Sequence, residues 1–262
     1  MTLRIVHLSD IHFGGEDASA VHAAPDAVRA LAPDLTVVTG DLTANGAEAE
    51  FRAAADWLAR LPSPVLVTPG NHDTPYWNLV LRLFEPFARY RRHIGGAVAS
   101  AFDGPGLSAR SLNSARGVQP RLNWSKGALS LVAVKALEWP EDPATLRLFA
   151  CHHPLVDPEG APVTGGVPQG PAAIAELARR GVELVLSGHL HNPFAARPVG
   201  HGDCYAVGAG TLSLRTRGTP ASFSTISADA EAFEITVQVW KGDRFDAGPM
   251  RRLPRRAHSS AF

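Results

Sequence analysis

Residues 65–73 read Val-Leu-Val-Thr-Pro-Gly-Asn-His-Asp, a short apolar run that passes through a glycine into three polar side chains. The run Val65-Leu66-Val67 predicts a buried β-strand, and Gly70 predicts the turn that ends it. A strand of the core would not continue into Asn71-His72-Asp73. Because open α/β sheets keep their sites at the carboxyl edge of the strands, this stretch predicts a strand that delivers functional groups to that edge.

Two earlier strands end in the same way. Polar side chains follow each of them, with Asp10 and His12 after Leu3–Leu8 and Gly40-Asp41 after Leu35–Thr39. The segments between these strands have the apolar spacing of amphipathic helices. Alternating strands and helices predict parallel βαβ units and therefore an α/β fold.

Two further apolar strands lie in the second half of the chain. Leu146–Cys151 ends in His152-His153-Pro154, and Val182–Leu186 ends in Ser187-Gly188-His189-Leu190-His191. Parallel strands place their carboxyl ends on one edge of a sheet, so the five polar clusters are expected to converge there.

The other segments frame these strands. We predict one domain over residues 1–240, with residues 76–96 as a helical cap over the site and residues 241–262 as a basic C-terminal extension, either an ordered wrap or a loose tail. Residues 156–170 form a long loop rich in Pro and Gly, of the kind that often covers a site. In the helix predicted over residues 76–92, apolar side chains such as Leu79 and Phe84 are expected to face inward and the arginines outward, namely Arg82, Arg89, Arg91 and Arg92.

The composition excludes several classes of protein. The 25 basic and 25 acidic residues balance, so the chain has no overall bias toward nucleic acid or anionic membranes. No apolar run is long enough to span a membrane. With no signal peptide at Met1 and only two cysteines, Cys151 and Cys204, the sequence predicts a cytoplasmic protein without a disulfide scaffold.

The five clusters together offer carboxylate, amide and imidazole groups. This mixed oxygen and nitrogen set suits Mn, Fe, Zn or Co better than Ca or Mg. Seven candidate ligands exceed the need of one tetrahedral ion, and they suit two adjacent ions that share one carboxylate. A water or hydroxide held between two such ions is ready for in-line attack on phosphorus, and no serine or cysteine nucleophile is indicated.

The order of the five clusters, D-x-H, G-D, G-N-H-D, H-x-P and G-H-x-H, resembles that of the calcineurin-like metallophosphoesterases. The clusters run from residue 10 to residue 191, about two-thirds of the chain, and all are intact. The resemblance implies a four-layer αββα sandwich of two mixed β-sheets flanked by helices, with a dinuclear metal site at the carboxyl ends of the strands. It also implies a metal-dependent phosphoric ester hydrolase with two metal ions per chain.

The resemblance further implies a role for each matching position. Asp10, His12 and His191 would hold one metal ion, Asn71, His152 and His189 would hold the other, and Asp41 would bridge both. His72 would contact the phosphate or protonate the leaving oxygen, and Asp73 would orient His72. His153 would lie behind the ligands, with a substrate contact as its other candidate role.

The start Asp10-Ile11-His12-Phe13-Gly14 and the G-N-H-D and H-H-P clusters most resemble bacterial class III cyclic nucleotide phosphodiesterases and glycerophosphodiesterases. This implies a small-molecule phosphodiester substrate, with cyclic AMP as the leading candidate, phospholipid or glycerophosphodiester-type diesters as the alternative, and no specific nucleic acid partner. Arg82 and Arg116 are candidate substrate contacts. A homodimer is consistent with the resemblance. A catalytically weak metal-binding scaffold is the other class of function. Members of this fold that have lost their metals and serve as binding scaffolds would lack ligands, and all seven are present here.

Overall fold

The computed structural model describes residues 2–95, 100–120, 123–158, 165–198 and 204–255. Within these ranges the chain forms two six-stranded sheets. The first sheet has the strand order β12-β11-β10-β1-β2-β3. Its strands are β1 (Leu3–Leu8), β2 (Leu35–Val38), β3 (Val65–Val67), β10 (Ser222–Ala228), β11 (Ala232–Trp240) and β12 (Phe245–Pro254).

In this sheet β1, β2 and β3 are parallel, whereas β10, β11 and β12 are antiparallel to their neighbours. The parallel half is connected through helices α1 (Ala18–Ala30) and α2 (Glu48–Leu58). Asp17 caps α1, because its carboxylate accepts hydrogen bonds from the backbone of Ser19 and Ala20. The βαβ units predicted for the first 70 residues are confirmed.

The second sheet has the strand order β4-β5-β6-β7-β9-β8. Its four inner strands are parallel, and an antiparallel strand closes each edge. The strands are β4 (Ala101–Gly104), β5 (Leu107–Ser111), β6 (Leu146–Ala150), β7 (Val182–Ser187), β8 (Phe194–Ala196) and β9 (Tyr205–Gly208). A tight hairpin at residues 104–107 joins β4 to β5.

The two sheets pack face to face, and helices cover their outer faces. Alternation along β1 explains the layering, because Ile5 faces the core between the sheets while Val6 and Leu8 face α1 and α2. On the second sheet, Phe149 and Val185 pack against α5 (Leu131–Lys135) and α6 (Gly170–Arg179). The protein is therefore the four-layer α/β sandwich of two mixed sheets that the sequence led us to expect.

The segment that follows the Gly-Asn-His-Asp turn differs from its prediction. Instead of one helix over residues 76–92, the chain forms α3 (Leu79–Phe84) and α4 (Ala88–His93), separated by Pro86. The expected orientation of the first helix is reversed, since Arg82 is buried whereas Leu79 and Phe84 are exposed. Proline cannot donate the backbone hydrogen bond of a continuous helix, which accounts for the break. Residues 96–99 of the predicted cap lie outside the described residues.

The predicted C-terminal extension begins inside the first sheet. β12 pairs with β11 along residues 245–254, so the boundary placed at residue 240 falls in a hairpin between two strands. Residues 256–262 lie outside the described residues. In the described ranges, no helix has the length and apolar character that crossing a membrane requires.

Candidate dinuclear metal site

The polar clusters of the sequence meet where the two sheets come together. The first sheet contributes the segments that follow β1, β2 and β3, and the second sheet contributes those that follow β6 and β7. All five strands are parallel within their sheets, so their carboxyl ends lie at one side of the sandwich. The candidate metal ligands there are almost completely buried, and His189 is partly buried.

The backbone at these strand ends adopts a conformation that L-residues rarely use. Asp10, His12, Asp41, His189 and His191 all have φ between 50° and 67°. Non-glycine residues in this left-handed region carry strain, and such strain concentrates at functional sites because the surrounding fold holds it in place. Five of the seven candidate ligands are therefore held in turns that aim their side chains inward, a feature that no sequence pattern predicts directly.

Glycines let the strand ends approach one another. A Cβ atom on Gly70 would lie 2.1 Å from Oδ1 of Asp41, and one on Gly188 would lie 1.8 Å from Oγ of Ser9 and 2.5 Å from Oδ2 of Asp10. All three distances are far below van der Waals contact. The glycines of the G-N-H-D and G-H-x-H motifs are therefore required by the close packing of neighbouring loops around the two aspartates.

Asp10, His12 and His191 form the first group. The Nε2 atoms of His12 and His191 lie 3.3 Å apart, and Oδ1 of Asp10 lies 3.1 Å from Nε2 of His191 and 3.8 Å from Nε2 of His12. The other carboxylate oxygen of Asp10 accepts a hydrogen bond from the backbone N–H of His189. The structure thus brings together three residues predicted to share one metal ion.

His152, Asn71 and His189 lie on the other side of Asp41. Nε2 of His152 is 3.2 Å from Oδ1 of Asn71 and 3.3 Å from Oδ2 of Asp41, and the rings of His152 and His189 meet edge to face at 5.3 Å. Asp41 also lies 3.8 Å from Nε2 of His12. Its carboxylate therefore stands between the two groups, the position expected of a shared ligand.

Backbone carbonyls fix the tautomers of two of these histidines. Nδ1 of His152 lies 2.6 Å from the carbonyl of Thr39, and Nδ1 of His191 lies 2.7 Å from the carbonyl of Arg215. A carbonyl only accepts, so each Nδ1 carries the proton and each neutral ring turns an Nε2 lone pair toward the aspartates. This is the arrangement in which histidine binds a metal ion.

Without a bound cation, protonation of histidines offsets the charge of the buried aspartates. Burial opposes ionisation of Asp41, but His152 and then His72 outweigh it and hold its pKa well below its usual range. Burial would lower the pKa of His152, but Asp41 outweighs it and raises that pKa to about 9. Burial lowers the pKa of His12 to about 4 and that of His189 to about 3, so both rings are neutral near pH 7.

These residues fit a pair of metal ions. Oδ1 of Asp10 is buried and accepts no hydrogen bond, and the Nε2 atoms of His12 and His191 face each other across 3.3 Å. Buried acceptors are normally satisfied by donors, so a convergent set of acceptors calls for a cation. In the described part of the chain, four overlapping sets of side chains bring ligand atoms within 4.8 Å of one another, and Asp41 belongs to two of them.

His72 occupies the mouth of the site. Its Nδ1 lies 2.7 Å from the carbonyl of Ala44, so Nδ1 carries a proton and Nε2 is left for another partner. The ring meets the His12 ring edge to face, with the two centroids 4.7 Å apart. It lines two neighbouring cavities: a metal-side cavity of about 250 Å³, which also contains Asp41, and a larger cavity of about 560 Å³, which also contains Arg82. Its backbone N–H donates to Oδ1 of Asp41 at 2.8 Å, which ties the ring to the centre of the site.

The predicted contact between Asp73 and His72 is not formed. The Asp73 carboxylate instead accepts hydrogen bonds from the backbone N–H groups of Leu42, Thr43 and Gly70 and from the Thr43 hydroxyl, at 2.8 to 3.2 Å. Asp73 thus joins the loop after β2 to the turn after β3. The correction has a physical reason, since neighbouring backbone amides compete successfully for a buried carboxylate.

The three candidate substrate contacts have different surroundings. Arg82 lines the larger cavity, whereas Arg116 is exposed and lines neither cavity. His153 is completely buried, with Nδ1 2.9 Å from Oγ of Ser114 and Nε2 2.8 Å from the carbonyl of Ser125. Both ring nitrogens of His153 are engaged, so a substrate contact by His153 is excluded in this arrangement, and the ring supports His152 and His189 from behind.

Sequence reasoning missed a set of cationic and polar residues that complete the site. A cavity of about 250 Å³ opens onto Asp41, His72, His189 and His191, and its outer wall contains Ser125, Lys126, Arg215 and Arg217. The only carboxylate among its described lining residues is Asp41. Arginine and lysine side chains at such a mouth suit an anionic ligand. Their positions in irregular loops carry no sequence signal.

The comparisons with known proteins agree with this geometry. The family model described as calcineurin-like phosphoesterase matches residues 3–193. A probable cyclic nucleotide phosphodiesterase of Synechococcus is 26% identical over 209 residues, which cover 74% of this chain and 75% of that protein. The glycerophosphodiester phosphodiesterase GpdQ of Enterobacter lignolyticus is 35% identical over 82 residues, which cover 26% of this chain and 29% of that protein.

A solved structure shows the same fold. A dimetal phosphatase from Danio rerio superimposes with a TM-score of 0.60 at 14% sequence identity, covering 97% of this chain and 98% of that one. At this identity the likeness establishes the sandwich architecture and leaves the chemistry to the residues of the site.

Proposed function

The chain belongs to the calcineurin-like phosphoesterase family and is a phosphoric ester hydrolase of that family, and on this premise we propose that it hydrolyses small-molecule phosphodiesters with the help of two metal ions. The observation that carries the proposal is the convergence of the candidate ligands around Asp41. Histidine Nε2 atoms face carboxylate oxygens and one another at 3.1 to 3.8 Å, an arrangement in which metal ions could replace the protons that the histidines carry.

Seven residues would hold the ions. Asp10, His12 and His191 would bind one, Asn71, His152 and His189 the other, and Asp41 both. The mixture of imidazole, carboxylate and amide donors favours Mn, Fe or Zn. Bound there, two such ions would lower the pKa of a water molecule and neutralise negative charge on the phosphate.

The protein's own groups would perform the remaining steps. His72 would protonate the leaving oxygen through Nε2, since its Nδ1 proton is committed to the Ala44 carbonyl. Arg215 and Arg217, at the mouth of the metal-side cavity, would orient the non-bridging phosphate oxygens. Asp73 would act only through the backbone of the two loops that it joins.

The room around the site supports a diester as the substrate. A cavity of about 560 Å³ lies beside the metal-side cavity and shares Asn71, His72 and Ser125 with it. A phosphate held at the metal side could therefore extend a second ester substituent into the larger cavity. Cyclic AMP remains the leading candidate, supported by the name of the Synechococcus relative, and glycerophosphodiesters are the alternative, supported by that of GpdQ.

We propose a cytoplasmic location from the state of the two cysteines. Cys151 and Cys204 are both buried and unpaired, as expected in a reducing compartment such as the cytoplasm. A homodimer remains a prediction from the resemblance.

A screen of the metal-reconstituted protein tests the proposal. Initial rates would be measured on bis(p-nitrophenyl) phosphate, p-nitrophenyl phosphate, cyclic AMP and glycerophosphodiesters, with metal content determined on the same sample. We expect about two transition ions per chain and a higher kcat/KM for the diester than for the matched monoester. A preference for the monoester would overturn the diesterase assignment, and fewer than one ion per chain would overturn the metal assignment.

A further inference from the structure

Arg82 is the feature of the larger cavity that the proposed reaction does not use. The side chain lies on α3, only 7% exposed, and it lines the cavity beside the metal site. Its Nε donates to the carbonyl of Gly117 at 2.7 Å. Among the described residues it has no carboxylate partner, and no hydrogen bond of its two terminal nitrogens is formed. A buried cation without a counter-charge is costly to the fold, so it is expected where a ligand supplies the missing partner.

Aromatic rings line the same cavity as this cation. The Arg82 guanidinium lies over the ring of Trp124, 5.4 Å from its centroid, and Tyr76 and Trp77 meet edge to face at 4.8 Å on the same wall. Trp124 is 38% exposed and Trp77 is 82% exposed, so both rings present surface to an incoming group. No carboxylate is among the described residues that line this cavity.

Two kinds of ester substituent must be weighed. Aromatic rings alone would form a cage suited to a quaternary ammonium group such as choline. The charge of Arg82 opposes that ligand, because no carboxylate in the described lining offsets it. The same charge favours a flat ring with hydrogen-bond acceptors, such as ring nitrogens or carbonyl oxygens, which could stack on Trp124 and accept hydrogen bonds from the guanidinium.

We propose that Arg82 and Trp124 form a substituent-binding subsite that selects phosphodiesters carrying a planar ring with hydrogen-bond acceptor atoms and rejects those carrying a quaternary ammonium group. The inference rests on the proposed function, since it places the phosphate at the neighbouring metal site. The metal-side cavity and the larger cavity share Asn71, His72 and Ser125, so a single ligand can occupy both. Arg82 and Trp124 would therefore determine which ester substituents bind, without taking part in the bond cleavage.

Three phosphate monoesters test the subsite by equilibrium binding. Thymidine 5′-monophosphate, methyl phosphate and phosphocholine share a phosphate group and differ only in the substituent. Isothermal titration of the metal-loaded protein should give a Kd for thymidine 5′-monophosphate at least about tenfold lower than that for methyl phosphate, as expected for one stacked base. Phosphocholine should bind no more tightly than methyl phosphate.

Two variants test whether Arg82 and Trp124 cause the tighter binding of thymidine 5′-monophosphate. Arg82→Gln removes the charge, and Trp124→Leu removes the stacking surface from a partly exposed position where folding depends less on it. In each, the advantage of thymidine 5′-monophosphate over methyl phosphate should fall to about threefold or less, while the Kd for methyl phosphate stays as in the wild type. An undiminished advantage in either variant, or phosphocholine as the tightest ligand of the wild type, would overturn the subsite.

Different measurements report a failure of the proposed function and a failure of the subsite. Hydrolysis of bis(p-nitrophenyl) phosphate reports the metal site, whereas the ratio of the three dissociation constants reports the subsite. If the diester is not hydrolysed but the ratio depends on Arg82, the subsite stands without the reaction. If the diester is hydrolysed and the ratio is the same in Arg82→Gln, the reaction stands and the subsite is wrong.

Discussion

Nε2 of His12 lies 3.3 Å from Nε2 of His191, although 179 positions separate the two residues along the chain and each comes from a different sheet. His191 keeps its proton on Nδ1 through the Arg215 carbonyl, and burial keeps His12 neutral. When both rings are neutral, two nitrogen lone pairs face each other beside the Asp10 carboxylate, and a bound cation would join the two sheets at this point.

Metal removal should destabilise the protein. Chelation leaves Asp10 and Asp41 buried together without a cation, and ligand binding to the native state alone adds about 2.7 kcal/mol at one hundred times the Kd. For a chain of this size we expect Tm to fall by about 5–10 °C on treatment with a chelator, measured by differential scanning fluorimetry. Asp41→Ala is the control, since its Tm should not respond to the chelator. Equal responses of the two proteins would contradict the assignment.

Metal affinity should rise with pH. In the metal-free protein the neighbouring carboxylates, Asp41 foremost, outweigh burial and raise the pKa of His152 to about 9, so the ring is protonated at pH 7. A metal ion binds only the neutral ring, and binding must therefore release a proton. The affinity is expected to increase from pH 6.5 toward pH 8.5. Titration in two buffers with different ionisation enthalpies measures the released protons, and a release of zero at pH 7 would contradict this prediction.

Asp41 and His72 should separate metal binding from turnover. Asp41→Ala should lose metal and lower kcat by roughly 10³-fold or more, because the shared ligand is removed. His72→Ala should keep its metal and lose about 10²–10⁴-fold in kcat on a diester with a poor leaving group. With a good leaving group such as p-nitrophenolate the loss should be smaller. An equal loss on both substrates would exclude His72 as the acid.

Asp73→Asn should reduce stability and leave proton transfer unchanged. The carboxylate accepts bonds from three backbone N–H groups and from the Thr43 hydroxyl, and an amide cannot satisfy all of them. We expect a loss of about 1–3 kcal/mol in the free energy of unfolding, measured by denaturant titration. The ratio of rates on good and poor leaving groups should match that of the wild type. A ratio shifted toward that of His72→Ala would restore an orienting role for Asp73.

The residues of the metal centre can be predicted from the sequence more completely than the residues around it. Strands and polar motifs were recoverable because each apolar run ends abruptly in ligands, as Val65-Leu66-Val67 does before Asn71. The predicted contact between Asp73 and His72 is wrong because the partners of Asp73 include backbone amides, which leave no pattern in the sequence. Arg82 was expected to face outward by helical periodicity, but α3 is too short to bury an apolar face, and tertiary contacts with Gly117 and Trp124 decide its orientation.

Gly188→Ala should disable one metal position more than the other. A methyl group at residue 188 would collide with Ser9 and with Oδ2 of Asp10, which already accepts the His189 N–H. Asp10 belongs to the group with His12 and His191, so the ion of that group should be lost first. Metal analysis should find about one ion per chain instead of two, with a matching loss of activity. Gly15→Ala is the control, because its added methyl group would meet its nearest atoms at 3.7 and 3.9 Å, ordinary contact distances. If Gly188→Ala binds as much metal as Gly15→Ala, the close approach of the loop to Asp10 does not control that position.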